Sequence, residues 1–408
     1  MGLAGNRIAI MGGSIAGCAA AIALARAGCE VTVFERSRGE LRDRGTGISV
    51  APQLIDRLVA ADFLPAGYPV CKLERRLWYH VDGTDAGRLI WDQPGKGLLN
   101  NWGVLFRNLR SRVDGSPVSY HEGTAVEEFL PDESGVQVRT SAGAKERFDL
   151  LVGADGYRSA VRTRLHPGAS PVYSGYVLWR GNYDESRVTG SAAIDRLDAA
   201  AGAAMTAFPH GHGNLYLIPN FDDRTDPGHR RLTWNIYAPP PPGTDFTEAT
   251  SLAPGDIDDA MFDDFRNLVD EHYPPDLASL IRLSRRDEVS LQPIYDVTVP
   301  SYAQDRTLLI GDAGALTRPH TGSGATKALS DALALADIAR GADSLDDLMT
   351  QYDQQRRADS NEIVALGRRI GQAQVVETPD WMSMSPADFE QWAQGTLAGK
   401  PLYFWGKT

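Results

Sequence analysis

The sequence has few of the features that identify disulfide-rich, zinc-binding or membrane proteins. It contains only three cysteines, Cys18, Cys29 and Cys71, in 408 residues, with no C-x-x-C pair. Neither a disulfide framework nor a cysteine-rich zinc site is therefore expected, and no metal site is predicted. Glycines interrupt the apolar stretch from Ile8 to Ala27 and no basic region precedes it, which argues against a signal peptide or a membrane span. We expect a cytoplasmic location.

Basic residues are also fewer than acidic residues. Lysine and arginine number 41 against 53 acidic residues, a formal charge of −12. Such a chain repels nucleic acid and anionic membranes, so a small-molecule partner is expected. The hydrophobic content of 42% is ordinary for a globular protein, and the length allows two domains or one elaborated domain.

Residues 7 to 36 have the pattern of a βαβ unit. An apolar run at 8 to 11 is followed by a glycine turn, an alanine-rich helix from about Ile15 to Ala27, and a second apolar run at 31 to 34. Glu35 follows the second run, where an acidic side chain can accept hydrogen bonds from a ribose diol. The unit is typical of a dinucleotide-binding domain.

The glycine turn departs from the usual G-x-G-x-x-G fingerprint. It reads "GGSIAG", so that Ser14 stands between Gly12 and Gly17 where the fingerprint has a glycine. Serine is acceptable there if its backbone avoids the left-handed conformation. Its hydroxyl can then donate to a phosphate oxygen or serve as a helix N-cap, and the sequence leaves both roles open.

Two later strands end in Gly-Asp clusters. "DLLVGADG" at 149 to 156 and "RTLLIGDAG" at 306 to 314 place Asp155 and Asp312 at the carboxyl ends of buried strands, the edge at which α/β sheets bind ligands. Short alternating strands at 75 to 91 and 203 to 237 predict an antiparallel β-rich insert. The 3.6-residue period of 345 to 374 predicts an amphipathic helix.

These motifs together resemble the single-component, group A flavoprotein aromatic hydroxylases. The resemblance rests on "GGSIAG", Glu35, "LLVGADGYRSAVR" and "LLIGDAGALTRPHTGSGATKALSDA". "RGTGISVAPQ" at 44 to 53 and "YVLWRG" at 176 to 181 are most similar to the 2,6-dihydroxypyridine hydroxylase branch. The resemblance implies an α/β fold, with a Rossmann-like FAD-binding domain of the glutathione-reductase type, an inserted antiparallel β-sheet domain and C-terminal helices.

The expected domains are discontinuous. Residues 1–74, 100–172 and 286–345 form the predicted FAD-binding domain. Residues 75–99 and 173–285 form the predicted substrate domain, and residues 346–408 a C-terminal helical segment.

The resemblance also implies the cofactor contacts. Glu35 would bind the adenosine ribose, Arg107 the ribityl and pyrophosphate portion, and Asp312 the ribityl hydroxyls. Asp155, with Arg158, would serve both FAD and NAD(P)H, unless it is a simple turn aspartate. The predicted FAD contacts are Gly12, Gly13, Ser14, Ala16, Gly17, Glu35, Arg36, Arg44, Arg107, Val126, Asp155, Gly311, Asp312, Pro319, Gly322, Ser323 and Gly324.

Two of the predicted arginine contacts have alternative roles. Arg44 would hold the pyrophosphate or be an exposed loop arginine, and Arg107 has a solvated helix arginine as its alternative. After Pro319, a helix beginning between Thr321 and Gly324 would direct free N–H groups at the flavin N1–C2=O edge. Glycines at 322 and 324 would let the ring approach the backbone.

The implied chemistry is monooxygenation of an aromatic ring. NADH or NADPH reduces FAD, O2 adds at the flavin C4a, and the resulting hydroperoxide transfers one oxygen to an electron-rich phenol, hydroxypyridine or indole while the other oxygen leaves as water. The partner is thus a small aromatic or heteroaromatic molecule, and a homodimer is common in the family.

Substrate residues are predicted mainly from residue type. Trp179, Phe208, Tyr216 and Trp234 are candidates for aromatic packing, with ordinary core positions as the alternative. Histidines titrate near neutrality, which makes His210 and His212 candidate bases, although "FPHGHG" favours an exposed hairpin tip for both. His320 is the stronger candidate for substrate contact or proton transfer, because its neighbours place it near the isoalloxazine.

Two other functions remain open from the sequence. One is a different group A-like oxidation, such as epoxidation, oxidative decarboxylation or halogenation, although the W-x-W-x-I-P string typical of tryptophan halogenases is absent. The other is a non-catalytic FAD-binding sensor that keeps the fold.

Overall fold

The computed structural model describes residues 2–39, 46–246 and 251–398. Its strands are β1 (Arg7–Met11), β2 (Glu30–Glu35), β3 (Gly47–Val50), β4 (Cys71–His80), β5 (Arg88–Asn101), β6 (Ser119–Glu122), β7 (Val126–Asp132), β8 (Gly135–Thr140), β9 (Lys145–Phe148), β10 (Leu150–Gly153), β11 (Val172–Asp184), β12 (Gly202–Phe208), β13 (Gly211–Ile218), β14 (Arg231–Ala238), β15 (Val289–Asp296), β16 (Ala303–Gln304) and β17 (Thr307–Leu309). Its α-helices are α1 (Ile15–Arg26), α2 (Pro52–Ala60), α3 (Trp102–Asp114), α4 (Ala160–Leu165), α5 (Ala192–Ala200), α6 (Asp259–His272), α7 (Pro275–Arg282), α8 (Ser323–Gly341), α9 (Leu345–Gly371) and α10 (Pro386–Leu397).

The first sheet is the dinucleotide-binding sheet that the sequence predicts. Its strand order is β16-β17-β10-β1-β2-β6, and the five strands from β17 to β6 are parallel. The apolar runs at 8 to 11, 31 to 34, 150 to 153 and 307 to 309 are therefore neighbours, and their carboxyl ends meet at one edge. Together with the helices around it, this sheet confirms the predicted Rossmann-like α/β fold.

The second sheet has eight strands in the order β15-β11-β14-β13-β12-β4-β5-β3. All neighbours are antiparallel except β12 and β4. Alternate residues on one face pack with α5, α6 and α7 into an apolar core. The residues between them point to the opposite face, which packs partly against α9 and α10 and which we call the site face.

Two strands cross the predicted domain boundaries. Strand β3 lies in the segment expected to bind FAD but pairs with β5, and β15 lies in another such segment but pairs with β11. Hydrogen bonding to the larger sheet, which residue type alone does not reveal, places them there. Helix α9 covers most of the amphipathic segment predicted at 345 to 374. In the described ranges, no helix is long and apolar enough to span a bilayer.

Candidate cofactor and substrate site

The glycine turn joins β1 to α1 with very little space between them. A Cβ atom on Gly17 would lie 1.9 Å from the carbonyl oxygen of Gly12, so any larger residue would push the helix off the strand. Ser14 has φ −76° and ψ −161°, an extended conformation open to serine, and its hydroxyl makes no cap hydrogen bond. The serine in the fingerprint is therefore unstrained, and the helix does not use its hydroxyl.

Glu35 is buried against this turn. Its carboxylate accepts hydrogen bonds from the Gly13 N–H at 2.7 Å and the Ser37 N–H at 2.8 Å, while the Tyr120 hydroxyl donates to the Gly13 carbonyl at 2.9 Å. The end of β2 thus fixes the conformation of the turn after β1. This link is a structural role for Glu35 that the fingerprint did not predict.

Asp312 lies in a short 3₁₀ turn directly after β17, at the carboxyl edge of the first sheet. Its carboxylate makes no hydrogen bond to any residue that the structure describes, and burial raises its pKa above the usual range although Lys327 and Arg162 oppose the shift. A desolvated carboxylate without donors is suited to accept hydrogen bonds from a polyol. The residue present here therefore fits the ribityl chain of FAD.

A buried ion pair holds the turn that carries Asp312. The Lys327 ammonium donates to the Gly311 carbonyl at 2.7 Å and to the Asp331 carboxylate at 2.9 Å. Asp331 also accepts from the Gly311 N–H at 3.0 Å and from Arg356 at 2.7 Å. The sequence interpretation missed this cluster, although a lysine and an aspartate four residues apart among alanines and leucines are a signal for it.

Helix α8 begins at Ser323, within the predicted range of Thr321 to Gly324. Gly322 precedes it with φ +63°, a left-handed conformation that favours glycine. A Cβ atom on Gly324 would meet no atom within 4 Å. The Ser323 N–H donates to the Thr321 hydroxyl at 3.2 Å, so the N–H groups that follow it, and the open space at Gly324, are what the first turn offers to a flat group such as the isoalloxazine.

His320, just before α8, packs onto the site face. Its Nε2 lies 2.7 Å from the Tyr176 hydroxyl and its Nδ1 lies 3.1 Å from Nε2 of His212. Its ring also packs against that of Tyr237, with the centroids 4.2 Å apart and the planes tilted by 33°. Burial lowers the pKa of His320 well below its usual value and that of His212 to about 3. This contact joins the proposed flavin edge to the second sheet.

Known proteins are similar to this chain over nearly its whole length, and one family matches its first part. A family described as pyridine nucleotide-disulphide oxidoreductase matches residues 7–59. The 2,6-dihydroxypyridine 3-monooxygenase of Paenarthrobacter nicotinovorans is 29% identical over 383 residues, which cover 90% of this chain and 91% of that protein. Salicylate hydroxylase of Pseudomonas putida is 28% identical over 384 residues, covering 86% and 82%. The solved structure of 2,6-dihydroxypyridine-3-hydroxylase from Arthrobacter nicotinovorans matches with a TM-score of 0.79 at 25% identity, covering 98% and 96%. Over most of its length the chain is therefore similar to FAD-dependent aromatic monooxygenases.

This similarity confirms the resemblance inferred from the motifs, including their similarity to the dihydroxypyridine hydroxylase branch. The chain is an FAD-dependent monooxygenase, and the relatives named above are hydroxylases of aromatic substrates. The non-catalytic sensor considered from the sequence is thereby set aside.

Several predicted cofactor contacts have other partners in this monooxygenase. The Asp155 carboxylate accepts from the Ser159 hydroxyl at 2.6 Å and the Ala160 N–H at 2.7 Å, so it caps α4, in agreement with the turn alternative. Arg107 donates to the Phe221 carbonyl at 2.5 Å and also contacts Asp223. The guanidinium therefore ties α3 to the loop after β13, which neither prediction for it included.

Four further predicted cofactor contacts differ in their exposure and position. Arg36 is exposed, Val126 is half-buried at the start of β7, and Ala16 is close to Gly311. Arg44 falls outside the described residues.

The structure corrects three of the four predicted substrate aromatics. Trp179 and Trp234 pack on Phe265 of α6, with ring centroids 5.3 and 5.1 Å apart, and Phe208 stacks on His272 of the same helix. All three point to the helix-covered face, because strand alternation turns them away from the site face. Tyr216 points to the site face, where it approaches Gly47 of β3.

The two histidines of "FPHGHG" likewise lie in different environments. His210 is exposed at the hairpin turn and bonds to the backbone of Val376 and the hydroxyl of Thr378, so it does not belong to the His320 cluster. His212, grouped with it as an exposed tip residue, is instead buried on the site face. The prediction that the imidazole of His212 titrates near neutrality is wrong, because burial disfavours its charged form and lowers its pKa to about 3.

Proposed function

We propose that this monooxygenase uses NAD(P)H and O2 to hydroxylate a small, electron-rich phenolic or heteroaromatic ring bound on the site face. The observation that carries the proposal is the contact of His320 with Tyr176, His212 and Tyr237. This contact brings the N-terminus of α8 next to the site face of the second sheet. A ring held there would lie beside the flavin edge.

The residues around the first sheet would hold the cofactor. The N–H groups at the start of α1 and the Ser14 hydroxyl would bind the pyrophosphate, and Asp312 the ribityl hydroxyls. Bound FAD would supply the hydride acceptance and the O2 activation. The N–H groups at the start of α8 would stabilise negative charge on the ring system, since a helix N-terminus carries about half a positive charge.

His320 would act as a neutral contact. Its lowered pKa keeps it uncharged at pH 7, and both ring nitrogens are engaged within the protein. We assign it to hold the Tyr176 hydroxyl and the Tyr237 ring beneath the substrate. His320→Gln should therefore raise KM and lower the product formed per NAD(P)H consumed, without changing the shape of the pH profile between pH 5 and 8. His229→Gln, at an exposed loop, is the control, and a pH-profile limb lost only in the His320 variant would contradict the assignment.

The whole proposal is tested by screening substrates. Phenols, hydroxypyridines and indoles are added to the FAD-loaded enzyme, NAD(P)H oxidation is followed, and products are analysed by mass spectrometry. Stimulated oxidation with a gain of one oxygen supports hydroxylation. Turnover without that gain supports a different flavin oxidation, and no stimulation by any ring refutes the proposal.

The compartment and the oligomeric state are inferred from the same chain. The thiols of Cys18, Cys29 and Cys71 are unpaired, which supports a reducing cytoplasm. The family resemblance supports a homodimer, which light scattering on the purified enzyme would test.

A further inference from the structure

Three hydroxyl groups lie buried between α9 and the turn that carries Asp312. Tyr352 and Ser360 stand eight residues apart on one face of α9, and Tyr302 lies just before β16. All three residues are fully buried. The ring centroids of Tyr302 and Tyr352 are 6.3 Å apart. The two phenols therefore belong to one region of the core.

None of the three hydroxyl oxygens has a hydrogen-bond partner among the residues that the structure describes. Polar groups are nevertheless close to them. Burial raises the pKa of Tyr302, while Lys327 and Ser360 beside its hydroxyl oppose the shift. Burial also raises the pKa of Tyr352, and Asp331 adds to that shift. Both phenols are therefore protonated at pH 7, and each O–H group still needs an acceptor.

Tyr273 is a buried tyrosine in a different environment. Its hydroxyl also has no partner in the described ranges, but burial alone raises its pKa. A Cβ atom on Gly213 would lie 1.6 Å from this oxygen, so backbone packs directly against it. Tyr273 thus lacks the polar neighbours that Tyr302 and Tyr352 have.

A single water molecule can satisfy several buried hydroxyls at once. Buried waters in proteins typically make about three hydrogen bonds to polar groups that have no other partner. The Lys327 ammonium can add a donor here, because Gly311 and Asp331 take only two of its three N–H groups. Immobilising one water costs less free energy than leaving all these hydroxyls unsatisfied. The cluster therefore favours a hydrated core position.

We propose that Tyr302, Tyr352 and Ser360 bind one internal water molecule, which links α9 to the residue that packs behind the FAD-binding turn. A water oxygen can accept hydrogen bonds from both phenols and donate one to the Ser360 hydroxyl. The water site itself rests on the buried hydroxyls. Its role toward the cofactor rests on the proposed function, in which Asp312 holds the ribityl chain.

Tyr302 connects this water to the turn. Its ring lies so close to Gly314 that a Cβ atom there would be 2.4 Å from a ring carbon. The Lys327 ammonium lies 5.5 Å from the centre of the same ring and bonds to the Gly311 carbonyl. Gly311 and Gly314 enclose Asp312, so Tyr302 is a positioning residue for the cofactor and makes no contact with it.

A crystal structure of the FAD-loaded enzyme, at a resolution that shows ordered waters, tests the site directly. We expect a water within hydrogen-bond distance of at least two of the three hydroxyl oxygens. Density with no water there, or with the hydroxyls bonded to one another, overturns the proposal.

Variants that each remove one ligand of the water test the site in solution. Tyr302→Phe, Tyr352→Phe and Ser360→Ala should each raise the equilibrium constant of unfolding by about 5-fold or more. Tyr273→Phe is the matched control and should leave that constant unchanged or lower it, because it removes a hydroxyl without a partner. The Tyr302→Phe/Tyr352→Phe double variant should lose less stability than the two single variants together, since one water serves both. Ser360→Ala, the smallest change, keeps the test available if a phenylalanine variant is poorly folded.

Fluorescence titration with FAD, under conditions in which every variant is folded, tests the role toward the cofactor. Tyr302→Phe and Ser360→Ala should bind FAD about 3-fold or more weakly than the wild type, and Tyr273→Phe should bind it equally well. Variants of the three hydroxyls that match Tyr273→Phe in stability overturn the water site. Loss of stability with wild-type FAD affinity overturns the positioning role. The proposed function fails on a different result, which is that no aromatic stimulates NAD(P)H oxidation.

Discussion

Replacing Lys327 by methionine should destabilise this monooxygenase and weaken its hold on FAD. The ammonium and the Asp331 carboxylate are both fully buried, and Lys327 also bonds to the carbonyl of Gly311, whose φ is +63°. Although burial opposes its charge, Asp331 beside it raises the pKa of Lys327. The residue is therefore charged, and methionine removes the charge while keeping most of the volume.

The loss in the free energy of unfolding follows from the groups that lose a partner in Lys327→Met. The Gly311 carbonyl keeps the N–H groups of Gly314 and Ala315 as donors and loses only its bond to the ammonium, a charged hydrogen bond worth about 1.5 to 3 kcal/mol. Breaking a buried ion pair costs about 3 to 5 kcal/mol when one charge is left alone. Because Arg356 still contacts Asp331, the lower end applies, and we expect a loss of about 3 kcal/mol in the free energy of unfolding. The released turn should also lower FAD affinity, because Asp312 follows Gly311 directly.

Denaturant unfolding of the apoprotein and fluorescence titration with FAD measure the two effects. Arg340→Met on the same helix removes an exposed ion pair with Asp337 and should change stability by less than about 1 kcal/mol. The double variant with Asp331→Asn should show a coupling of at least about 1 kcal/mol with Lys327→Met. A Lys327→Met protein with wild-type stability and FAD affinity, or a coupling near zero, would refute the reasoning.

Further predictions concern the cofactor turn and the buried histidines. Asp312→Ala should lose most of its FAD on purification, and a full flavin content by absorbance would contradict the assignment. Ser14→Gly should keep FAD, since the serine backbone is extended, whereas Gly17→Ala should lose it because of the 1.9 Å approach; flavin absorbance measures both. His212 is neutral when folded, with a pKa of about 3, but takes up a proton when unfolded below about pH 6.5. The contribution of neutral His212 to the free energy of unfolding is therefore complete above that pH and is about 2 kcal/mol smaller at pH 5. In denaturant unfolding at both pH values, His212→Asn should lose this part of the pH dependence and the exposed His210→Asn should keep it; equal slopes in all three proteins would contradict the linkage.

The parts of the fold that the sequence predicted are those set by local patterns. The βαβ unit, the strands ending in Asp155 and Asp312, and the start of α8 follow from apolar runs bounded by glycines. In each case the residues that decide the structure are adjacent in the chain. The motifs were sufficient for the FAD region and for the family because they lie in these segments.

The substrate side could not be predicted in the same way. Aromatic residues on β11 to β14 occur on both faces of the second sheet, and only the position of α6 and α7 decides which face is core. For that reason Trp179 and Trp234 were assigned to the pocket, while Tyr237 was missed and His212 was misplaced.

The sequence by itself determined the cofactor-binding fold and the class of chemistry, because a glycine turn and strand-end carboxylates carry their function within a few residues. The tertiary structure decided which side chains meet at the site. The bonds of Asp331 to Gly311 and Arg356 and the packing of His320 against Tyr237 join distant segments.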